Sequence, residues 1–261
     1  MKKMIFTALI AAISLATPAL ADPDWQAVGK ALGKEGTVQP DGIYRVGLPR
    51  SDLKVLLDGV EIKPALALGT WLAFQPMGDT EAMVMGDLVL THEEINPVMK
   101  VLAKHGIEVT ALHNHLLRSE PATMYMHVSG HGDPVKLAAA LHAGLVESKT
   151  PLSTASAGAT PAPAAIDLDT SSIDQTLGHK GKINGGVYQV SIPRAEPIKD
   201  GGMEVPETMG SAIAINFQPT GKRQGRDHRR LRADRGRGQS GSAGTARERN
   251  RGDRPAQPHA R

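Results

Sequence analysis

The sequence predicts an α+β protein in which helices cover an antiparallel sheet, and three observations lead to this class. Apolar residues alternate in strand-like segments such as 43–48 and recur at helical spacing in segments such as 134–145. These segments follow one another in the order strand, helix, strand, strand, helix, which is typical of ferredoxin-like folds. Parts of this unit then return later in the chain, which predicts a duplicated fold whose second copy is incomplete.

The first repeat is predicted to span residues 22–148, and local signals define each of its elements. In chain order we expect a helix at 24–32, a strand at 43–48, a hairpin of strands at 70–75 and 82–90, a helix ending at Gly106, a hairpin at 107–129 and a helix beginning at Asp133. The helix before Gly106 has two possible starts. One is a capping box formed by Thr91 and Glu94, and the other is the Asn96-Pro97 pair.

The candidate site lies in the stretch from Gly106 to His127, GIEVTALHNHLLRSEPATMYMH. Residues 107–117 predict a strand, in which His113 and His115 point to the same face with Cα atoms about 6.5–7 Å apart. Residues 118–121 then predict a turn and 122–129 the returning strand. Glu120 would lie at the turn and His127 on the return.

Three imidazoles and one carboxylate are a common ligand set for a divalent ion such as zinc, iron or manganese. The sequence therefore predicts a metal site made of His113, His115, Glu120 and His127. The strand register decides whether His127 joins the others, because a slip of one residue turns its side chain to the opposite face. The alternative is that these histidines only form hydrogen bonds that brace the sheet. No catalytic residue can be named from the sequence.

The first 21 residues predict a secretory signal peptide, with Lys2 and Lys3 before an apolar run and Ala19-Leu20-Ala21 before Asp22. The apolar run is too short to span a membrane. The chain has no cysteine, so we expect neither a lipid anchor nor a disulfide. The predicted mature protein is periplasmic or secreted.

Positive charge is concentrated at the end of the chain, where residues 222–261 hold thirteen Lys or Arg and four Asp or Glu. Because the whole chain has a net charge of +3 that includes the two signal lysines, residues 22–221 carry a net charge of about −8. An acidic folded region gives no electrostatic reason to expect nucleic acid as a partner.

A linker rich in Ala, Pro, Ser and Thr at 149–165 separates the first repeat from a truncated second repeat at 166–221. The sequence GIYRV at 42–46 returns as GVYQV at 186–190, and FQP at 74–76 returns as FQP at 217–219. The second copy would keep its early strands and lose the elements that cover them. Ile213 and Ile215 would then lie on a strand with no sheet to join, which is an aggregation hazard.

The tail at 222–261 is interpreted as out-of-frame translation of the missing half. Suitable codons for residues 252–258, shifted by one base, encode VTALHNH, the sequence of residues 109–115. The same shift converts residues 227–234 into ITGDFVLT, against VMGDLVLT at 84–91. The alternative is a disordered basic extension that binds nucleic acid or lipid. In either case the tail has few apolar residues and is predicted to be disordered.

The motifs GIYRVGLPR, MGDLVLT and GIEVTALHNH, with GGVYQVSIPR and AIAINFQP in the second copy, resemble the LppY/LpqO-like family of exported bacterial proteins. That resemblance implies export and a duplicated domain of unknown function, but no activity or ligand residues. This chain departs from the family pattern because it lacks the cysteine of the lipoprotein members and its second domain is short.

Three functions are compatible with these residues. The first is an exported protein that binds a divalent metal or a small ligand through the His-x-His hairpin. The second is a metal-dependent hydrolase in which the ion activates water and Glu120 is a ligand or the general base. The third is a structural or interaction protein of the envelope with no ligand.

Overall fold

The computed structural model describes residues 23–78, 80–152, 165–200 and 202–221. It confirms the predicted α+β class, with antiparallel sheets packed against helices. The predicted signal peptide, most of the linker and the basic tail lie outside the described residues. In the described part of the chain, no helix is long and apolar enough to cross a membrane.

The elements of the first repeat come before residue 149. The helices described there are α1 (Trp25–Leu32), α2 (Pro64–Ala67), α3 (His92–Lys104) and α4 (Pro134–Leu145). The strands described there are β1 (Thr37–Val38), β2 (Tyr44–Pro49), β3 (Leu56–Leu57), β4 (Val60–Glu61), β5 (Gly69–Met77), β6 (Glu81–Thr91), β7 (Glu108–His113), β8 (Ser119–Glu120) and β9 (Thr123–Gly132).

The second repeat contributes fewer elements. They are α5 (Thr170–Leu177), β10 (Lys182–Asn184), β11 (Val187–Ile192), β12 (Lys199–Asp200), β13 (Met203–Glu204), a 3-10 turn at Glu207–Met209 and β14 (Ile213–Phe217).

A six-stranded sheet forms the centre of the first repeat, in the order β1-β2-β5-β6-β9-β7 with every neighbouring pair antiparallel. Strands β6 and β7 both pair with β9, so they run parallel to each other and the helix α3 connects them. This arrangement is the predicted strand, helix, strand, strand, helix unit, in which β9 is inserted between β6 and β7. Helices α1, α3 and α4 cover one face of the sheet, and apolar side chains such as Leu72, Phe74 and Leu102 fill the space between them.

Helix α3 begins at the capping box, which is the first of its two predicted starts. The Thr91 side chain accepts from the backbone of Glu94, and the Glu94 carboxylate accepts from the backbone N–H of Thr91 at 2.8 Å. Pro97 therefore lies inside the helix and not at its first position. Glu94 also binds Arg50, whose side chain is fully buried, at 2.8 and 3.0 Å. A single carboxylate thus fixes both the start of α3 and the end of β2.

The opposite face of the sheet is covered in part by the second repeat. Ile43, Ala73 and Met83 of the first repeat form an apolar cluster with Val205 and Met209. The two repeats therefore share a core, although they lie more than a hundred residues apart in the chain.

The second repeat reproduces the first three strands of the large sheet. Strands β10, β11 and β14 pair in that order, as β1, β2 and β5 do. The backbone N–H of Gly36 donates to the hydroxyl of Tyr44 at 2.6 Å, and that of Gly181 donates to Tyr188 at 3.0 Å. The same short-range contact in both copies supports a duplication.

The expectation that Ile213 and Ile215 have no sheet to join was wrong. Both lie on β14, which pairs with β11 over five residues. The first-copy equivalent of β14 also pairs with β6 on its other edge, whereas the other edge of β14 has no partner within the described residues.

Candidate metal site

The candidate site lies where β7 and β9 pair at the edge of the large sheet. His113 is opposite Tyr125, and Ala111 is opposite His127. Because side chains two residues apart share a face, this register puts His113 and His127 on one side of the sheet. That side is the one that the helices leave uncovered, since Met126 and Val128 of β9 face the helices.

The structure brings three of the four predicted ligands together. One nitrogen atom from each of His113, His115 and His127 lies within 4.8 Å of the other two. The Nε2 atoms of His113 and His115 are 2.8 Å apart. The ring of His127 meets the ring of His113 edge-on, with centroids 4.7 Å apart.

Glu120 lies outside this group, although the sequence places it between the histidines. Its prediction as a ligand assumed that residues 118–121 form a simple turn that stays beside the hairpin. Instead Glu120 belongs to β8, which pairs with β3 in a separate three-stranded sheet, and its side chain is exposed. The neighbouring Arg118 forms a bidentate ion pair with Asp58 at 2.7 and 2.8 Å. The segment after His115 is thus attached to β3 and β4 and carries Glu120 away.

Tyr125 supports the ring of His115. The two rings are stacked, with centroids 3.7 Å apart and planes 11° from parallel. Tyr125 is only 1% exposed, and its hydroxyl donates to the backbone oxygen of Ala67 at 2.8 Å. A buried and hydrogen-bonded ring therefore restricts His115, which lies beyond the end of β7.

Asp87 is a site residue that the sequence analysis missed. It is directly opposite His127 in the pairing of β6 with β9, and its Oδ2 atom is 3.8 Å from Nε2 of His127. Its Oδ1 atom is buried without a hydrogen-bond partner. Two methionines, Met83 and Met85, precede Asp87 at strand spacing. An acidic residue on an otherwise apolar strand face is the sequence signal that could have identified Asp87 as a site residue.

Burial governs the electrostatics of the site. It raises the pKa of Asp87 to about 6, and the charge of His113 opposes that change. Burial also lowers the pKa of His127 and, with the neighbouring His113 and His127, that of His115. The two imidazoles are thereby biased toward the neutral form, which is the form that coordinates metal ions.

A cleft of about 1050 Å³ opens beside the histidines. Its wall includes Asp87, His115 and Tyr125 from the first repeat and Lys182 and Asn184 from the second. Ligand sites in proteins are usually concave and line such a volume with a few polar groups. The candidate metal site is therefore accessible from a cleft that both repeats form.

The fold and the site together define a class, namely an α+β protein with a three-histidine cluster on the face of an antiparallel sheet that is opposite the helices. The chain belongs to the family described as Domain of Unknown Function (DUF1259), whose model matches residues 26–147 and 171–226. The two matched segments correspond to the two repeats. Comparisons with curated proteins and with solved structures found no match.

Proposed function

We propose that this protein binds a divalent metal ion through His113, His115 and His127. The observation that carries the proposal is the convergence of one nitrogen from each ring within 4.8 Å. Zinc binds imidazole nitrogen at about 2.0–2.1 Å in a tetrahedral arrangement, which needs ligand atoms roughly 3.3 Å apart. Side-chain rotations would have to bring the three nitrogens from their present spacing of up to 4.8 Å to that value. Zinc, iron and manganese all fit this donor set, and a fourth position is left for water or a ligand.

We also propose that the protein is exported and that it belongs to the LppY/LpqO-like group. The residues of the predicted signal peptide support export to the periplasm or the medium. The motif TALHNH at 110–115 supports a place in the LppY/LpqO-like group. Detection of the protein in periplasmic or culture fractions, with residue 22 at its N-terminus, would test export. Retention in the cytoplasm with Met1 intact would refute it.

Metal analysis of the purified full-length chain tests the proposed site. After exposure to zinc and dialysis, we expect about one ion per chain. The His113→Ala, His115→Ala double variant should retain almost none. His131→Ala is a matched control, because His131 is also on β9 but outside the cluster. If the wild type retains no metal, or the double variant retains as much, the histidines only brace the sheet.

A metal-dependent hydrolase is the second candidate, and the position of Asp87 favours it. Its half-buried carboxylate lies beside His127 and lines the cleft, so it has the role as general base that the sequence suggested for Glu120. A base must come within hydrogen-bond reach of the water that it deprotonates. Turnover of a panel of ester, amide and phosphate substrates by the zinc-loaded chain would support this function. Turnover that Asp87→Asn leaves unchanged would exclude Asp87 as the base.

A further inference from the structure

We propose that the cleft between the repeats binds a small organic anion next to the metal ion. This inference rests on the proposed metal site, and it adds a substrate class and a role for the second repeat. The ligand would contact residues from both repeats, with an acidic group recognised by Lys182. Four features of the cleft support it.

The first feature is that the second repeat is attached next to the histidines. Gln189 donates to the backbone oxygen of Ala65 at 2.8 Å, and Asn216 donates to that of Leu66 at 2.9 Å. The next carbonyl, that of Ala67, accepts from Tyr125, which stacks on His115. Helix α2 therefore connects the second repeat to the histidine cluster through consecutive carbonyls.

The second feature is a cation at the cleft that has no counter-ion. Lys182 lines the cleft from β10 and is exposed. Its ammonium group has no hydrogen-bond or ion-pair partner among the residues that the structure describes. An unpaired ammonium group on the wall of a cleft is available to a ligand.

The third feature is the charge balance of the lining. Its charged residues are Arg45, Lys182 and the single acid Asp87. The Arg45 guanidinium lies 4.3 Å over the ring of Trp71, so it is held at the wall. With the proposed divalent ion, the positive charges of the cleft outnumber the one negative charge of Asp87. Residues 22–221 as a whole carry a net negative charge. A positive cleft in an acidic protein concentrates anions.

The fourth feature is an open floor next to Trp71. Gly47 is directly opposite Trp71 in the pairing of β2 with β5. A Cβ atom added at Gly47 would meet no other atom within 4 Å. The floor of the cleft therefore has space above Gly47 for a ligand, and a side chain placed there would occupy that space without a clash.

The experiment uses the full-length, zinc-loaded chain and calorimetric titration with linear dicarboxylates from malonate to adipate and with inorganic phosphate. We expect at least one dicarboxylate to bind, and to bind only in the presence of zinc. The phosphate titration separates a phosphate ligand from a carboxylate ligand. The matching uncharged diamides serve as a control for recognition of charge.

Two pairs of variants locate the binding. Lys182→Met should weaken binding of the dicarboxylate by roughly tenfold or more, because a charge-assisted contact is lost. Lys180→Met, which removes a nearby lysine outside the lining, should have no effect. Gly47→Leu should block binding while zinc uptake is unchanged. Ser171→Leu adds the same side chain at an exposed position of α5, outside the cleft lining, and should bind normally.

Zinc uptake is measured first in every variant, so the two proposals can fail separately. A chain that takes up zinc but binds none of the anions overturns the anion site and leaves the metal site intact. The same conclusion follows if the diamides bind equally well or if Lys182→Met has no effect. A chain that takes up no zinc refutes both proposals.

Discussion

The Nε2 atoms of His113 and His115 lie 2.8 Å apart although the strand that carries His113 ends at that residue. One ring must donate its N–H to the other at this distance. A metal ion would replace the shared proton and hold both rings. In the proposed site the same pair would have a structural contact without metal and a ligand role with it, and stability measurements can separate the two.

The double variant His113→Ala, His115→Ala should have little effect on the metal-free protein. The hydrogen bond that it removes is exposed, so we expect a loss of about 1 kcal/mol in the free energy of unfolding in EDTA. Zinc at a thousand times its dissociation constant should stabilise the wild type by about 4 kcal/mol and the variant not at all. Urea denaturation in EDTA and in zinc gives both values. Equal stabilisation of the two proteins by zinc would contradict the assignment of these ligands.

Substitutions at Tyr125 should separate support of the ring of His115 from the hydrogen bond of the hydroxyl. Tyr125→Phe keeps the stacked ring and loses only the bond to Ala67, so zinc affinity should stay close to that of the wild type. Tyr125→Leu removes the ring, and the affinity should fall by about 10- to 100-fold, as for other residues that orient metal ligands. Competition titrations with a chelating dye give both affinities. An equal loss in the two variants would show that stacking is not what positions His115.

Asp87→Asn should stabilise the metal-free protein and weaken its metal binding. A half-buried carboxylate whose buried Oδ1 atom has no partner destabilises the fold, and the neutral amide reduces that cost by roughly 1–3 kcal/mol. The affinity for zinc should fall, because the variant lacks the negative charge beside His127 that favours a bound cation. Urea denaturation in EDTA and zinc titration of the same samples test both parts. Lower stability of the variant in EDTA would mean that Asp87 has a structural partner.

Three of the candidate ligands could be predicted because strand geometry is local. The two-residue period relates His113 to His115, and the pairing of neighbouring strands brings in His127. The contribution of Asp87 depends on β6 lying next to β9, which is a sheet order that no local pattern specifies. Glu120 was misplaced for the same kind of reason, since its pairing with β3 joins residues more than sixty positions apart. Sequence spacing finds ligands on one hairpin, whereas the rest of a site depends on long-range topology.

The starts of helices were predicted correctly where a capping signal precedes a segment with helical periodicity. The capping box of Thr91 and Glu94 marked the start of α3, and Asp133-Pro134 marked that of α4. The pairing of the second repeat with the first could not be foreseen. It depends on side-chain amides that reach the carbonyls of α2, and α2 itself was not predicted because it has only four residues.

Glu94 should make the stability of the protein sensitive to acid. Burial raises its pKa, but the hydrogen bonds and charge of Arg50 and the backbone N–H groups of Thr91 and Lys149 outweigh burial and lower it below the ordinary value. A carboxylate with a lowered folded-state pKa stabilises the fold above its unfolded pKa, and this contribution is lost as the pH falls through the folded value.

The variant Glu94→Gln tests this dependence. At pH 7 it should cost about 1–3 kcal/mol, because the fully buried Arg50 loses one of its two carboxylate partners and keeps Asp52. The difference in unfolding free energy between variant and wild type should shrink as the pH falls below about 4.5. Below that pH the wild-type Glu94 takes up a proton, first in the unfolded state and then in the folded state. Glu93→Gln, at the exposed neighbouring position, is the control and should change little. Urea denaturation at pH 7 and near pH 3.5 measures this difference in unfolding free energy. A difference that is the same at both pH values would contradict the prediction.

The gene should encode the missing half of the second repeat in another reading frame. A one-base correction near Gly221 is predicted to restore ITGDFVLT and VTALHNH, the counterparts of residues 84–91 and 109–115. Sequencing of the gene decides this directly, since an alternative frame without these strings refutes it. Strand β14 is the counterpart of β5, and β5 pairs with β6 along the edge at which β14 has no described partner. The restored segment should therefore supply the counterpart of β6, as a strand beside Ile213–Phe217. We therefore expect the corrected protein to aggregate less in light scattering and to unfold at a higher urea concentration than the present chain.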